Sequence, residues 1–598
     1  MNLKKILLIY YQIFFYSVLF SQNIPEYKLD SIVVSPQTSY INSFKVIRNV
    51  IEISREDINK KPLLFLNDIF ENISGVDIRK RGYLQADLSI RGSTFDQNLI
   101  VIDGVPMFDS QTGHHLIDLP LSIENIEKIE ILKGSGSRFF GANALGGVIN
   151  IIPSTLKSNT LSIKASIANN NSYFGTISSN SKIGITNHII SLSGAQSDGY
   201  RYNTDFKNYL GFYKFSFTVD SLNFFITSGF SDKKFGANSF YSLYYPDQWE
   251  NTKSSMVITG LSSKKIDVRL YWKKHNDEYL LFRNQPEKYK NNHLKNNYGL
   301  ITKYSNFTDF GFFTIGLETG YDEINSNNLG NHIRKRINLF FDNNININQN
   351  ITISLGSGVS IYNDWKPEYS PGLDISYKFF DNFISYLAFN TSYRIPTFTE
   401  LYYSSPVNKA NSNIVPERAR NYELGLKYYL DLFKLNFTIF KREGRNLIDW
   451  VKKLDSDIWE TKNIAQIDYY GLEFNFEYED KNFEFFGAEK VLLSYNYISS
   501  HKIYNELESK YLLDHLNHQF LFDIIHNFGS FFQTYFSFKY EERNKGDKYS
   551  IVDIKSSKRI DFIDIFISIQ NVFNKNYVEI GNIPMPGRIV NSGFCVQL

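Results

Sequence analysis

Glu130-Ile131-Leu132-Lys133-Gly134 and, a few residues on, Phe140-Gly141-Ala142-Asn143-Ala144-Leu145-Gly146-Gly147-Val148-Ile149-Asn150-Ile151-Ile152 decide the fold. An apolar strand runs into a glycine turn, a loop of small residues follows, and a Gly-Gly pair opens a second apolar strand. The glycines at 134, 136, 141, 146 and 147 fit neither the dinucleotide fingerprint nor the P-loop, and no Gly-Lys-Ser/Thr follows them. They suit tight turns and close backbone approach. Upstream stand Ser89-Ile90-Arg91-Gly92 and the strand Leu99-Ile100-Val101-Ile102-Asp103-Gly104.

Around this stretch, residues 47–153 read as a compact α+β domain. Lys61 to Ile73 is expected to be a helix. Pro62 suits its first turn, Gly75 lies just past its end, and Leu63, Leu66, Phe70 and Ile73 recur at helical spacing. Strands are expected at residues 99–103, 128–133 and 147–152. Before the domain, residues 23–46 form a polar, flexible lead. Within it Asp30-Ser31-Ile32-Val33-Val34-Ser35 is a β-prone island of the kind that can add to another protein's sheet edge. Residues 1–22 read as a signal peptide, with a basic start at Lys4 and Lys5, an apolar core from Ile6 to Phe20 and a cleavage point near Ser21-Gln22.

From Ser154 to the end the texture is period-two alternation. Tyr213, Phe215, Phe217 and Val219 alternate with Lys214, Ser216 and Thr218; Leu472, Phe474, Phe476 and Tyr478 alternate with Glu473, Asn475, Glu477 and Glu479. Ile563, Ile565, Ile567 and Ile569 repeat the pattern, and the chain closes on Phe594, Val596 and Leu598. Such strands carry one apolar and one polar face. The chain is 16% aromatic, with 51 Phe and 41 Tyr, yet hydrophilic on average, a combination that suits a lipid-facing barrel with aromatic girdles. No run beyond Ser21 is long and apolar enough for a spanning helix, so any crossing is by strands. Strands of about 10 residues with connections of similar length would give about 22 of them over residues 154–598, a barrel wide enough to need a plug.

A net charge of +2 offers no electrostatic case for nucleic acid. The single cysteine, Cys595, allows no intrachain disulfide and no thiolate metal cluster. No His-Glu-x-x-His or Gly-x-Ser-x-Gly occurs, so no enzyme activity is expected. His114-His115 and His515-x-x-His518 are the tight histidine pairs, and both suit ordinary loop or strand-end positions. Asp198, Asp205 and Asp232 lie in or near Gly/Asn/Ser-rich turns. They are candidate ligands for a structural Ca²⁺ if their oxygens converge, and solvated turn acids otherwise. No other cofactor is implied.

In this order and spacing, Ile90-Arg91-Gly92, Ile102-Asp103-Gly104 and the stretch from Glu130 to Ile152 resemble the plug domain of TonB-dependent outer-membrane receptors. Tyr393-Arg394-Ile395-Pro396-Thr397-Phe398-Thr399-Glu400-Leu401-Tyr402, Asn421-Tyr422-Glu423-Leu424-Gly425, Tyr470-Gly471-Leu472-Glu473 and Gln570-Asn571-Val572-Phe573 resemble the family's barrel strands. The resemblance implies a mostly β fold, a 22-stranded antiparallel transmembrane β-barrel at 154–598 with the α+β plug of 47–153 in its lumen, in the bacterial outer membrane. It also implies that residues 30–35 are the TonB box. Plug cations, by position Arg91 and Lys133, would pair with wall carboxylates, by position Glu400 and Glu423. Two departures stand out: the chain ends on Leu598 where the family has an aromatic residue, and Lys133 stands where many members carry arginine.

Gln111-Thr112-Gly113-His114-His115, Phe235-Gly236-Ala237-Asn238-Ser239-Phe240-Tyr241 and Pro584-Met585-Pro586-Gly587-Arg588 resemble compact, cobalamin-receptor-like members of Bacteroidetes type. What this implies is active import of a scarce, bulky nutrient, a corrinoid first and a ferric siderophore as the alternative. Met107, Phe108, Asp109, His114 and His115 are then candidate ligand contacts. Expected partners are TonB with its inner-membrane energising complex, the corrinoid or metal-chelate ligand, outer-membrane lipid, the barrel-assembly machinery and a surface lipoprotein. A barrel-borne enzyme or adhesin is the alternative of another class.

Overall fold

The computed structural model describes residues 47–598 apart from 156–157, 310, 481, 483–486, 503–506 and 530. The signal segment, the polar lead and the TonB-box-like residues 30–35 lie outside the described residues.

The plug contains β1 (Val50–Ser54), α1 (Arg55–Lys60), β2 (Val76–Lys80), β3 (Ala86–Ile90), β4 (Asn98–Ile102), β5 (Val105–Pro106), β6 (Ile126–Lys133), α2 (Ser137–Phe140) and β7 (Gly147–Pro153). They form a five-stranded sheet in the order β1-β6-β7-β4-β5 and a two-stranded ribbon β2-β3. β4 and β7 run parallel, with Leu99 opposite Val148, while β6 and β7, the two strands expected in the opening stretch, pair antiparallel. β4 and β5 are joined by Asp103-Gly104, both in the left-handed region at φ 45° and 72°, the two-residue hairpin that Asp-Gly favours.

The helix expected over 61–73 forms earlier and is shorter. Ser54 and Asp57 close a capping box: the Ser54 hydroxyl accepts from the Asp57 amide at 3.1 Å, and the Asp57 carboxylate accepts from the Ser54 amide at 3.1 Å. α1 then stops before Pro62, because the residue ahead of a proline is pushed out of helical conformation; Lys61 is extended at ψ 155°. The apolar positions of the expected helix survive only as a 3₁₀ turn, Leu66–Phe70, with Ile69 and Phe70 fully buried in the plug core.

The wall is a closed sheet of 22 spanning antiparallel strands from Thr160–Ala168 to Ile589–Gln597, with three short strands added among the described residues at Ser404–Ser405, Asn408–Lys409 and Leu507–Ser509. The last strand closes on the first, with Phe594 opposite Ala165, and Leu598 and Leu161 exchange backbone hydrogen bonds at 2.9 Å. Which face is apolar separates a lipid-embedded barrel from a soluble one. Along Gly311–Ser326, Ile315 is 49% exposed while its neighbour Thr314 and the nearby Glu318 are buried in the lumen. Along Ile563–Gln570, Ile565 and Ile567 point out and Ser568 points in. The apolar faces therefore look outward, as lipid requires. Among the described residues, no helix is long and apolar enough to cross a membrane.

Candidate functional site

The plug meets the wall through charge. β3 ends at Ile90, and the chain turns at Arg91-Gly92 with φ 52° and 70°. For a non-glycine residue this conformation costs about 1–2 kcal/mol, and here it aims the guanidinium at the wall. Arg91 grips Glu473 with two parallel hydrogen bonds, Nε to Oε1 at 2.9 Å and Nη2 to Oε2 at 2.8 Å, while Nη1 reaches Glu423 Oε2 at 2.5 Å. The guanidinium also lies 4.3 Å from the Phe440 ring centroid. Lys133, at the end of β6, places Nζ 2.7 Å from Glu473 Oε2. Arg48 Nη2 stands 3.7 Å from Glu423, and Tyr386 donates to Glu423 Oε1 at 2.6 Å. All of these charges are buried, so each depends on its partners to offset lost hydration. Burial by itself would depress the pKa of Arg91; Glu423 and Glu473 outweigh it and hold the pKa above the ordinary arginine value. At Lys133 burial dominates over Glu473 and lowers the pKa.

The structure thus brings Arg91, Lys133 and Glu423 together and adds Glu473, which sequence reasoning quoted as a strand marker without giving it a charge partner. Its signal was a carboxylate at an inward position of an alternating strand. Glu400 is placed differently from expectation. It caps the short helix α3 (Phe398–Tyr402), accepting from the Thr397 amide at 2.8 Å, and pairs with Arg394 of its own wall at 2.8 and 2.9 Å. The capping box Thr397-x-x-Glu400 explains this, since the helix start claims the carboxylate locally.

Further pairs surround the plug. Arg138 of α2 reaches Asp342 at 3.1 Å and Asp374 at 2.8 Å; wall Arg543 grips Asp77 of β2 at 2.8 and 3.1 Å; wall Lys214 holds Asp103 at 2.9 Å. None of these pairings was expected from the sequence, because an inward charge on a strand does not reveal which plug residue it meets. A cavity of about 610 Å³ lies between the plug segment around Ile58–Phe65 and the first and last wall strands; Lys164, Lys555 and Asn591 are among its lining residues.

The candidate ligand contacts are engaged within the plug or against the wall. Met107 is 2% exposed within the plug core. Phe108, half-buried, lies under the Arg336 guanidinium at 4.7 Å. Asp109 folds its own loop inward by accepting from the Gln111 amide at 2.9 Å, and its other oxygen takes wall Lys295 at 2.6 Å. Burial opposes ionisation of Asp109, but Lys295 prevails and holds its pKa below the usual carboxylate range. His114 pairs with Asp87 at 2.7 Å and stacks on Phe95. His115, 3% exposed, faces wall Asp277 at 3.4 Å and Glu250 at 3.7 Å. The three aspartates considered for Ca²⁺ do not converge. Asp198 accepts from Asn171, Asp205 is held by Arg283 at 2.5 and 2.9 Å, and Asp232 stands 3.8 Å from Lys253. Arginine and lysine neutralise two of them where a cation would have had to.

Two family models match the chain. Residues 151–572 match one described as TonB dependent receptor-like, beta-barrel, and residues 43–148 match the TonB-dependent receptor plug domain. The vitamin B12 transporter BtuB of Photobacterium profundum is 23% identical over 597 residues, covering 89% of this chain and 90% of that protein. The protein of the same description from Vibrio vulnificus (strain YJ016) is 21% identical over 473 residues, 74% of this chain and 75% of its own. Among solved structures, the FrpB iron transporter from Neisseria meningitidis (F5-1 variant) superposes with TM-score 0.78 at 13% identity, over 92% of this chain and 99% of that one. The siderophore receptor PirA from Acinetobacter baumannii superposes with TM-score 0.77 at 14% identity, over 94% and 100%. At such identities the superpositions establish the fold alone.

Proposed function

The chain belongs to the TonB-dependent receptor family of the outer membrane, and we propose that it imports a corrinoid of the cobalamin class. The observation that carries the substrate is the match to the vitamin B12 transporter of Photobacterium profundum over about nine-tenths of both chains. The loop segments 111–115 and 235–241 support the same reading from within the sequence. In this reading the ligand settles at the outer face and loosens the plug. The segment Ile32–Val34 then becomes available below, where TonB adds a strand to it and pulls with energy from the inner membrane. Arg91, Lys133, Glu423 and Glu473 are the seat that holds the plug until then. The receptor performs no covalent chemistry.

Equilibrium binding of cyanocobalamin to the detergent-purified receptor, with ferric siderophores run in parallel, tests the substrate. Saturable cobalamin binding with no siderophore binding is expected; siderophore binding alone would transfer the assignment to that class. Val33→Pro tests the coupling. Proline removes a strand donor, so uptake should vanish while binding is kept, and undiminished uptake would remove the TonB-box assignment.

A further inference from the structure

Away from the Arg91 seat, on the wall strand Ile266–Leu280, lies a second buried cluster with different chemistry. The loop after β5 makes a 3₁₀ turn at Gly113–His115, and the Asp118 amide donates to the His115 carbonyl at 3.0 Å. This turn carries His115 and Asp118 to the wall together. There they meet His275, an inward residue of the wall strand Ile266–Leu280 that is 1% exposed. The two imidazole rings are 4.8 Å apart between centroids. One ligating atom each from His115, Asp118 and His275 lies within 4.8 Å of the other two.

We propose that His115, Asp118 and His275 bind one divalent transition-metal ion of the zinc class, which staples the plug loop to the wall. Two imidazoles and a carboxylate are a ligand set that Zn²⁺ and its neighbours take, with room for a fourth ligand. His275 Nε2 stands 3.1 Å from Asp118 Oδ2. That matches the ligand-to-ligand edge of about 3.3 Å expected around a tetrahedral ion with bonds near 2 Å.

The surroundings also fit. A metal-bound histidine usually presents its second ring nitrogen to a carboxylate, and His275 Nδ1, which has no hydrogen-bond partner among the described residues, looks toward Asp109 Oδ2 at 3.7 Å. His115 has Asp277 Oδ2 at 3.4 Å from Nε2 and an unpartnered Nδ1. Lys233 holds the second oxygen of Asp118 at 2.6 Å, fixing the carboxylate. The site is sealed, so the ion would be enclosed as the plug folds and would exchange slowly afterwards.

The full chain, refolded into detergent with Co²⁺ or Zn²⁺ and passed over a chelating resin, should retain about one ion per chain. The Co²⁺ form should show the intense visible bands of low-coordinate cobalt. His275→Gln and His115→Gln should each weaken retention by more than about 100-fold, since even an outer partner of a metal ligand contributes 10- to 100-fold. Asp205→Asn, an acid at the outer rim held by Arg283, should retain the ion. Heat-modified gel mobility establishes that each variant has a folded barrel. If the wild type retains no stoichiometric ion, or folded histidine variants retain it as well as the wild type does, the site is overturned. Neither result bears on ligand import, which the binding and uptake measurements above decide.

Discussion

At the scale of single residues, the plug seat is decided by Arg91. Its two carboxylates are 0% and 6% exposed, so removing the guanidinium would leave two buried negative charges without the cation they share. Breaking a buried pair from one side costs about 3–5 kcal/mol, whereas removing both sides costs far less. Arg91→Ala should therefore loosen the plug strongly, seen as earlier urea-induced release and as conductance in planar bilayers. The same substitution combined with Glu423→Gln and Glu473→Gln should recover much of the loss. Equal destabilisation in both backgrounds would mean that the ion pairs are not what seats the plug. Arg91 and Glu423 were legible because both stand in motifs of specific order and spacing. Glu400 misled because proximity in a motif does not say whether a carboxylate turns toward the plug or, as here, caps the next helix.

At the scale of elements, the sequence was most readable where backbone chemistry is local. The Gly134–Gly147 loop and the alternating wall strands follow from glycine freedom and the two-residue strand period. The plug helix was misplaced because helical spacing of Leu63, Leu66, Phe70 and Ile73 outweighed two stronger signals, the Ser54–Asp57 box and the stop at Pro62. Tertiary burial supplied the spacing: Leu66 and Phe70 pack inward from a 3₁₀ turn, and Ile73 is buried in the plug core beyond it. Gly147, where β7 starts, offers a test of how tightly the plug sheet is packed. A Cβ there would lie 2.7 Å from Ile90 Cδ1 and 2.8 Å from the Leu132 carbonyl oxygen, which as backbone cannot yield. Gly147→Ala should destabilise the plug by about 1–3 kcal/mol through overpacking, read by thermal unfolding. Gly175→Ala, in the wall strand Ser172–Ile183 with nothing within 4 Å, should leave stability within about 0.5 kcal/mol.

At the scale of the whole molecule, the wall holds the plug in two ways. Along one arc the plug core continues into wall side chains, including Ile189, Phe212, Phe225, Met256, Ile258 and Ile301. Charge pairs such as Lys214–Asp103 and Lys295–Asp109 stand beside these apolar contacts, and along the arc containing Glu423, Glu473, Lys490 and Arg543 the wall grips the plug by directional charges. Apolar surfaces can slide with little loss, while a charge pair separated by water loses most of its strength. The charged arc is therefore where a pull, or a change of pH, should first open the seat. None of this arrangement could be read from the sequence, since which strand faces which plug loop is set by barrel closure. The periodic pattern is blind to that closure. Two plug carboxylates make the idea testable. Burial opposes the ionisation of Asp57 and Glu124, yet Lys490 and Lys164 outweigh it and bring both down to about 2. A carboxyl depressed on folding stabilises the seat fully above its unfolded value and loses that contribution as pH falls toward the folded one. The contribution of these two pairs should therefore be constant above about pH 5 and decline between about pH 4.5 and 2. Asp57→Asn, which removes the Lys490 pair on the charged arc, should flatten part of that decline while lowering stability at neutral pH. Amide hydrogen exchange across β1 and α1 at pH 7 and pH 3 would measure it. If wild type and Asp57→Asn lose protection equally on acidification, the Asp57–Lys490 pair does not contribute to the seat's acid sensitivity.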